Sequence, residues 1–178
     1  MGFVFAKSPR RVTIAKAKSI IKKLKARTAK VGVFVNESPA RIRRIALTAG
    51  LTAVQLHGDE TPKTVDALKG LRRIKAVRVG QNFKRTDAER FNAEAYLFDT
   101  KVKGLYGGSG LRFDWKKLKG KHFKRPVILS GGLDAGNVSR AVKMLKPYAV
   151  DVSSGVEKAP GIKDAKKIRE FIRNAKKN

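Results

Sequence analysis

ILSGGLDAGNV, residues 128–138, and VDVSSGVEKAPG, residues 150–161, follow one design. Each begins as a short apolar run and then breaks into small residues, Ser130-Gly131-Gly132 in the first and Ser153-Ser154-Gly155 in the second. Small residues leave backbone N–H groups unobstructed, and the N-terminus of a following helix favours an anion. Taken singly, each stretch is an ordinary glycine turn. Taken as consecutive strand–loop units near the end of the chain, they form a pair of candidate phosphate loops.

The rest of the chain repeats the same unit. Apolar, β-branched or aromatic runs predict strands at Gly2–Phe5, Val31–Val35, Ala53–Leu56, Ile74–Val79, Ala95–Phe98, Pro126–Ser130 and Ala149–Ser153. Amphipathic helices fill the gaps, with apolar stripes at Ile14, Ala17, Ile20, Ile21 and Leu24, at Val138, Ala141, Val142 and Leu145, and at Ala165, Ile168, Phe171, Ile172 and Ala175. Ser38-Pro39 and Thr61-Pro62 read as N-cap followed by N1 proline, and Thr86 with Glu89 as a capping box. Gly50 and Gly70 stand where glycine stops a helix. Strands alternating with helices are successive βαβ units and predict a parallel α/β sheet. Seven strands suit a doubly wound open sheet. A closed TIM (β/α)8 barrel needs eight and about 200 residues, so the tally is one unit short of it. In a barrel, the loops after the last two strands are the usual phosphate site.

Composition bounds the function. A chain of 178 residues that is 42% apolar can bury one core, and no linker divides it, so a single domain over residues 1–178 is expected. No apolar run is long enough to span a bilayer, and no signal-peptide pattern stands at the N-terminus; the expected location is cytoplasmic. With no cysteine there is neither a disulfide, nor a thiolate metal site, nor a cysteine nucleophile or base. The 42 Lys and Arg against 14 Asp and Glu give a net charge of +28, which suits a nucleic-acid partner. The basic residues are spread over nearly every predicted helix and aromatics are only 7%, so no base-stacking platform stands out; weak, non-specific polyanion binding at low salt is the expectation.

In either architecture the chemistry gathers at the C-terminal ends of strands. Those ends carry Arg10, Asn36, Gln55, His57, Asp59, Asp99, Gly131-Gly132, Asp151 and Ser153-Ser154-Gly155. In YLFDTKVKGLYGGSGLRFDW, residues 96–115, Asp99 precedes a glycine-rich loop, Gly104 to Gly110, able to move over a pocket. A carboxyl at such a mouth can serve as a general acid.

VGVFVNE (31–37), VQLHGDE (54–60), LFDT…GGSG…FDW, LSGGL…NV and AVDVSSGVE…PGIKD together resemble phosphoribosylanthranilate isomerase, in order and over essentially the whole chain. Histidine-pathway isomerases and indoleglycerol-phosphate synthase share the barrel and phosphate site but not these strings. The resemblance implies a TIM (β/α)8-type barrel of which this chain holds seven βα units. It implies an enzyme of tryptophan biosynthesis, an intramolecular aldose–ketose isomerase that carries phosphoribosylanthranilate through an Amadori rearrangement to 1-(2-carboxyphenylamino)-1-deoxyribulose 5-phosphate. It implies neither metal nor organic cofactor. By motif, Asp99 resembles the general acid, Arg10 the holder of the anthranilate carboxylate, and Asp151 a residue that positions substrate. The backbone amides of Gly131, Gly132, Ser154 and Gly155 resemble the phosphate site, and His57 a pocket wall rather than a catalyst.

The family begins one βα unit earlier, with a strand ending in a Lys-Ile-Cys-Gly-Ile-Thr type motif whose cysteine is the general base. The expectation is therefore an N-terminally incomplete barrel, short of its catalytic base, with the strands at Gly2–Phe5 and Ala149–Ser153 as exposed edges through which copies can associate. The rival reading is a non-catalytic basic barrel-like protein that binds phosphorylated ligands or nucleic acid.

Overall fold

The structure is a computed structural model and describes residues 1–100 and 114–177. The expected loop Gly104–Gly110 therefore lies outside the described residues. Strands β1 (Gly2–Val4), β2 (Val31–Phe34), β3 (Ala53–Leu56), β4 (Arg73–Val79), β5 (Ala95–Thr100), β6 (Val127–Leu129) and β7 (Ala149–Val150) stand in the sheet in chain order. The pairs β1–β2, β2–β3, β3–β4, β5–β6 and β6–β7 are parallel. A doubly wound sheet reverses its strand order at a switch point. This order never reverses, so the open alternative falls away and the singly wound, barrel-type order stands.

Backbone contacts group the chain into two compact units, Met1–Ala76 with Arg90–Glu94, and Val77–Glu89 with Ala95–Asn178. In the first unit, β1 pairs Gly2, Phe3 and Val4 with Val31, Gly32 and Val33. Helix α1 (Ile14–Ile21) starts where Thr13 Oγ1 accepts the Lys16 N–H, and lays Ile14, Ala17, Ile20 and Ile21 against Phe3, Ala49 and Leu51. That is the stripe expected from the sequence; Ala17 is fully buried and the isoleucines are half-buried, so each isoleucine contributes less than the roughly 1.5–3 kcal/mol of a fully buried one. On its outer side β1 is met by the chain that follows it: the Val4 carbonyl accepts the Val12 N–H at 2.9 Å, and Val4 bridges Arg11. Helix α2 (Pro39–Ala49) is capped by Ser38 and ends on Gly50 at φ 75°, and α3 (Pro62–Asp66) is capped by Thr61, as the Ser-Pro and Thr-Pro pairs predict.

In the second unit, α4 (Thr86–Glu89) departs from expectation. Thr86 lies inside the turn instead of capping it, because Asp87 Oδ2 accepts the Lys84 N–H and starts the turn earlier. Glu89 pairs with Arg85 and accepts the Lys124 N–H, so it does not complete a capping box. A 3-10 turn at Trp115–Lys117 precedes β6, and α5 (Val138–Leu145) follows it. After β7 come a 3-10 turn at Ser154–Val156 and a small antiparallel hairpin, β8 (Glu157–Ala159) with β9 (Ile162–Lys163), which apolar periodicity did not signal. Helix α6 (Ala165–Ala175) closes the chain, capped by Asp164, whose carboxylate accepts the Lys166 and Lys167 N–H groups and is held below the ordinary aspartate value by them. Among the described residues no helix is long and apolar enough to cross a membrane.

Candidate active site

The second unit gathers most of the predicted site. Asp99 lies inside β5, which runs two residues further than its apolar stretch suggested, and is 4% exposed. Its Oδ1 accepts the Thr100 N–H at 2.7 Å. Behind it, Phe98 is fully buried between the rings of Phe83 and Phe123, which fixes the backbone that carries the carboxyl. Strand β6 extends this pairing, with the Ser130 N–H donating to the Phe98 carbonyl at 2.8 Å. Gly131 then turns at φ 85°, so close to β5 that a Cβ there would sit 2.6 Å from Thr100 Oγ1 and 2.9 Å from Asp99 Oδ1. Glycine at this position is thus a condition for Asp99 and the first glycine loop to meet.

Ser130 makes the next connection, donating from Oγ to Asp151 Oδ2 at 3.2 Å, while the Asp151 N–H donates to the Leu129 carbonyl at 2.8 Å. Adjacent residues Ser130 and Gly131 therefore touch one carboxylate each, Asp151 and Asp99. The two glycine loops also press together, since a Cβ on Gly155 would run into the Leu133 carbonyl oxygen and lie 3.1 Å from Asp134 Cα. Gly132 sits at φ 63°, and its carbonyl accepts from Asn137 Nδ2 at 2.9 Å. Asn137 and Asp134 exchange further bonds, Asp134 N–H to Asn137 Oδ1 at 3.1 Å and Asn137 N–H to Asp134 Oδ1 at 2.9 Å. On the other loop, Lys163 Nζ donates to the Ser153 carbonyl at 2.8 Å and to Glu157 Oε1 at 2.9 Å, which pins Ser153–Glu157 to the hairpin. The side-chain bonds of Ser130, Asn137 and Lys163 are no part of the sequence expectation. The Asp134-x-x-Asn137 spacing was a signal for the first loop; for Ser130 and Lys163 the partner is remote in sequence and left none.

The first unit holds the remaining predicted residues. Arg10 is half-buried in the β1–α1 loop, where its N–H donates to Ser8 Oγ at 3.1 Å. The corners after β2 and β3 interlock: Asn36, at φ 51°, accepts the Asp59 N–H on Oδ1 at 2.7 Å, and its own N–H donates to Glu60 Oε1 at 3.0 Å. Glu60 also accepts the Gly58 N–H, and its Oε2 meets Lys75 Nζ at 2.7 Å with both side chains almost wholly buried. Lys75 donates further to the carbonyls of Leu56 and Gly58, at 3.1 and 2.8 Å. His57 is buried in this corner with Nδ1 2.8 Å from Gln55 Nε2.

The family model of N-(5'phosphoribosyl)anthranilate (PRA) isomerase matches residues 1–174 of this chain. The chain belongs to that family. The N-(5'-phosphoribosyl)anthranilate isomerase of Thermoanaerobacter pseudethanolicus is 44% identical over 172 residues, which cover 97% of this chain and 84% of the relative. Among solved structures, the phosphoribosyl anthranilate isomerase of Thermus thermophilus superposes with a TM-score of 0.87 at 35% identity, covering 97% of this chain and 85% of that one. Another family structure, a phosphoribosyl anthranilate isomerase in complex with reduced 1-(o-carboxyphenylamino)-1-deoxyribulose 5-phosphate, matches at a TM-score of 0.79 and 38% identity over 98% of this chain and 86% of that one. The fold is accordingly of the TIM-barrel type, with seven strands of its parallel sheet in this chain.

Proposed function

We propose that this chain acts in the cytoplasm as an N-(5'-phosphoribosyl)anthranilate isomerase, with Asp99 as general acid, Arg10 on the anthranilate carboxylate and Asp151 positioning the substrate. The amides of Gly131, Gly132, Ser154 and Gly155 take the phosphate. The observation that carries this reading is the packing of Asp99 onto the first glycine loop, and of that loop onto the second, in a chain of this family. Asp99 gives its proton to the furanose ring oxygen, the ring opens, and the anthranilate nitrogen forms a protonated Schiff base at C1. A base removes the C2 proton, and the resulting enolamine tautomerises to the ketone. The guanidinium fork of an arginine matches a planar carboxylate, and unobstructed amides match a phosphate dianion without another cation.

The base of the second step, which the resemblance gives to a cysteine, has no counterpart among these residues, because the chain contains no cysteine. Loss of one partner in acid–base catalysis costs on the order of 10²–10⁴ in rate. Ligand binding is therefore the decisive test. In calorimetry with the reduced product analogue, the 178-residue chain binds, Arg10→Ala weakens binding by about tenfold or more, the scale of a lost charge-assisted bond, and Asp99→Asn leaves it within a few-fold. Turnover, slow in this chain, is abolished by Asp99→Asn. No binding of the analogue by the folded chain, or turnover indifferent to Asp99, would overturn the assignment.

A further inference from the structure

Charge is distributed unevenly along the chain. From Met1 to Asn36 there are ten Lys or Arg residues and not one Asp or Glu. Lys16, Lys18, Lys22, Lys23, Lys25 and Arg27 are all exposed, on α1 and the turn that leaves it. Helix α2 packs beside α1 and adds exposed Arg44. The first acid in the chain, Glu37, is already spent: its Oε2 pairs with Arg41 at 2.9 Å and its Oε1 accepts the Ser38 N–H. The other lysine-rich run, Lys116–Arg125, has acids close at hand, with Asp114 capping the turn at its start and Glu89 accepting the Lys124 N–H. Helix α6 carries Glu170 and follows Asp164.

We propose that the exposed side of α1, its C-terminal turn and Arg44 of α2 form an interaction surface for the phosphodiester backbone of a nucleic-acid duplex. The lysines stand on a rigid scaffold, because the opposite side of α1 is packed against Phe3, Ala49 and Leu51. That same packing leaves α1 no apolar side to insert into lipid, as a membrane-surface helix requires. None of the exposed residues from Lys16 to Arg27 is aromatic, so splayed single-stranded bases find nothing to stack on. What remains is contact with a regular array of phosphates, which binds without reading sequence and weakens steeply with salt. None of these residues belongs to the candidate active site, and the inference does not depend on the isomerase reading.

The test uses a mixed-sequence DNA duplex of about 20 base pairs in fluorescence anisotropy, titrated from about 50 to about 200 mM salt, the range over which phosphate contacts lose most of their affinity. Two triple variants lower the net charge equally: Lys16→Gln, Lys18→Gln and Lys23→Gln on α1 and the turn that leaves it, and Lys166→Gln, Lys176→Gln and Lys177→Gln on and just after α6. Glutamine keeps helix propensity, and unchanged circular dichroism and melting establish that both variants are folded. The α1 variant is expected to bind roughly tenfold or more weakly at low salt, with the log–log salt slope shallower by about 2–3, while the α6 variant changes affinity less than about threefold. Equal losses in the two variants would reduce binding to overall charge and overturn the proposal. So would tighter binding to a single strand of the same length, or to phosphatidylserine vesicles, than to the duplex.

Discussion

Lys75 and Glu60 show how much of the interlocked corner after β2 and β3 rests on one buried charge pair. The lysine reaches two carbonyls and a carboxylate, and the carboxylate in turn takes N–H groups from Asn36 and Gly58. Removing one partner strands the other charge in the interior. Lys75→Met is expected to cost about 3–5 kcal/mol in urea denaturation, whereas Lys75→Met with Glu60→Gln, which removes the stranded charge and keeps an acceptor for the Asn36 and Gly58 N–H groups, recovers a good part of that loss. Equal destabilisation by the single and double variants would show that the pair is not coupled. Arg73 and Glu94 form a second pair, with Glu94 half-exposed and Nη2 to Oε1 at 2.6 Å. Burial pushes the Glu94 carboxyl upward, but the Arg73 guanidinium, its backbone N–H and its charge outweigh this and hold it below the ordinary value of 4.5. A depressed carboxylate stabilises the fold above its unfolded value and loses that contribution as pH falls through the folded one. The stability gap between the native chain and Glu94→Gln should therefore be full at neutral pH and close progressively below about pH 4.5, as pH-dependent urea melts can show. At this scale the sequence was legible wherever partners are near neighbours, as with Ser38 and Arg41 or Thr61 and Thr64. It was silent on Lys75 and Glu60, because nothing local distinguishes a lysine destined for burial from the many that stay in water.

The two glycine loops are the element on which the proposed phosphate site depends, and Gly155 is where they meet. A methyl group there meets the Leu133 backbone, which cannot swing aside as a flexible side chain would. Gly155→Ala is expected to separate the loops and weaken binding of the reduced product analogue by about tenfold or more, while costing about 1–3 kcal/mol in stability, the usual scale of overpacking. Calorimetry together with urea denaturation separates the two effects; unaltered binding in a destabilised protein would detach the contact from ligand capture. Strand order is also settled at this scale. Alternating apolar runs and amphipathic stripes specify that strands and helices alternate, and the observed strands follow the expected ones to within a few residues. They do not specify whether the crossovers keep one direction or reverse, since each local pattern reads the same in both cases. The β8–β9 hairpin escaped because Glu157–Ala159 and Ile162–Lys163 have too few residues for a period to register.

Over the whole molecule, a net charge of +28 on 178 residues is a self-repulsion that folding concentrates and unfolding relieves. Ion pairs such as Arg41–Glu37, Arg73–Glu94 and Lys75–Glu60 offset part of it, but 14 acids cannot pair with 42 cations. Screening should stabilise the native state, so calorimetric melting is expected to rise by several degrees between about 20 and 500 mM sodium chloride, as the Debye length shrinks from tens of ångströms to a few. A melting temperature that falls with salt would mean that attractive pairs dominate. The residues by themselves determined the strand and helix segments, the caps at Ser38 and Thr61, the two glycine loops and the family resemblance, because each depends on neighbours along the chain and on side-chain chemistry. Only the tertiary structure decided the unreversed strand order, the seating of Gly155 on Leu133, the bond from Ser130 to Asp151 and the burial of Lys75 on Glu60. Those depend on which distant segments pack together, and close packing of the whole chain selects them where no local preference can.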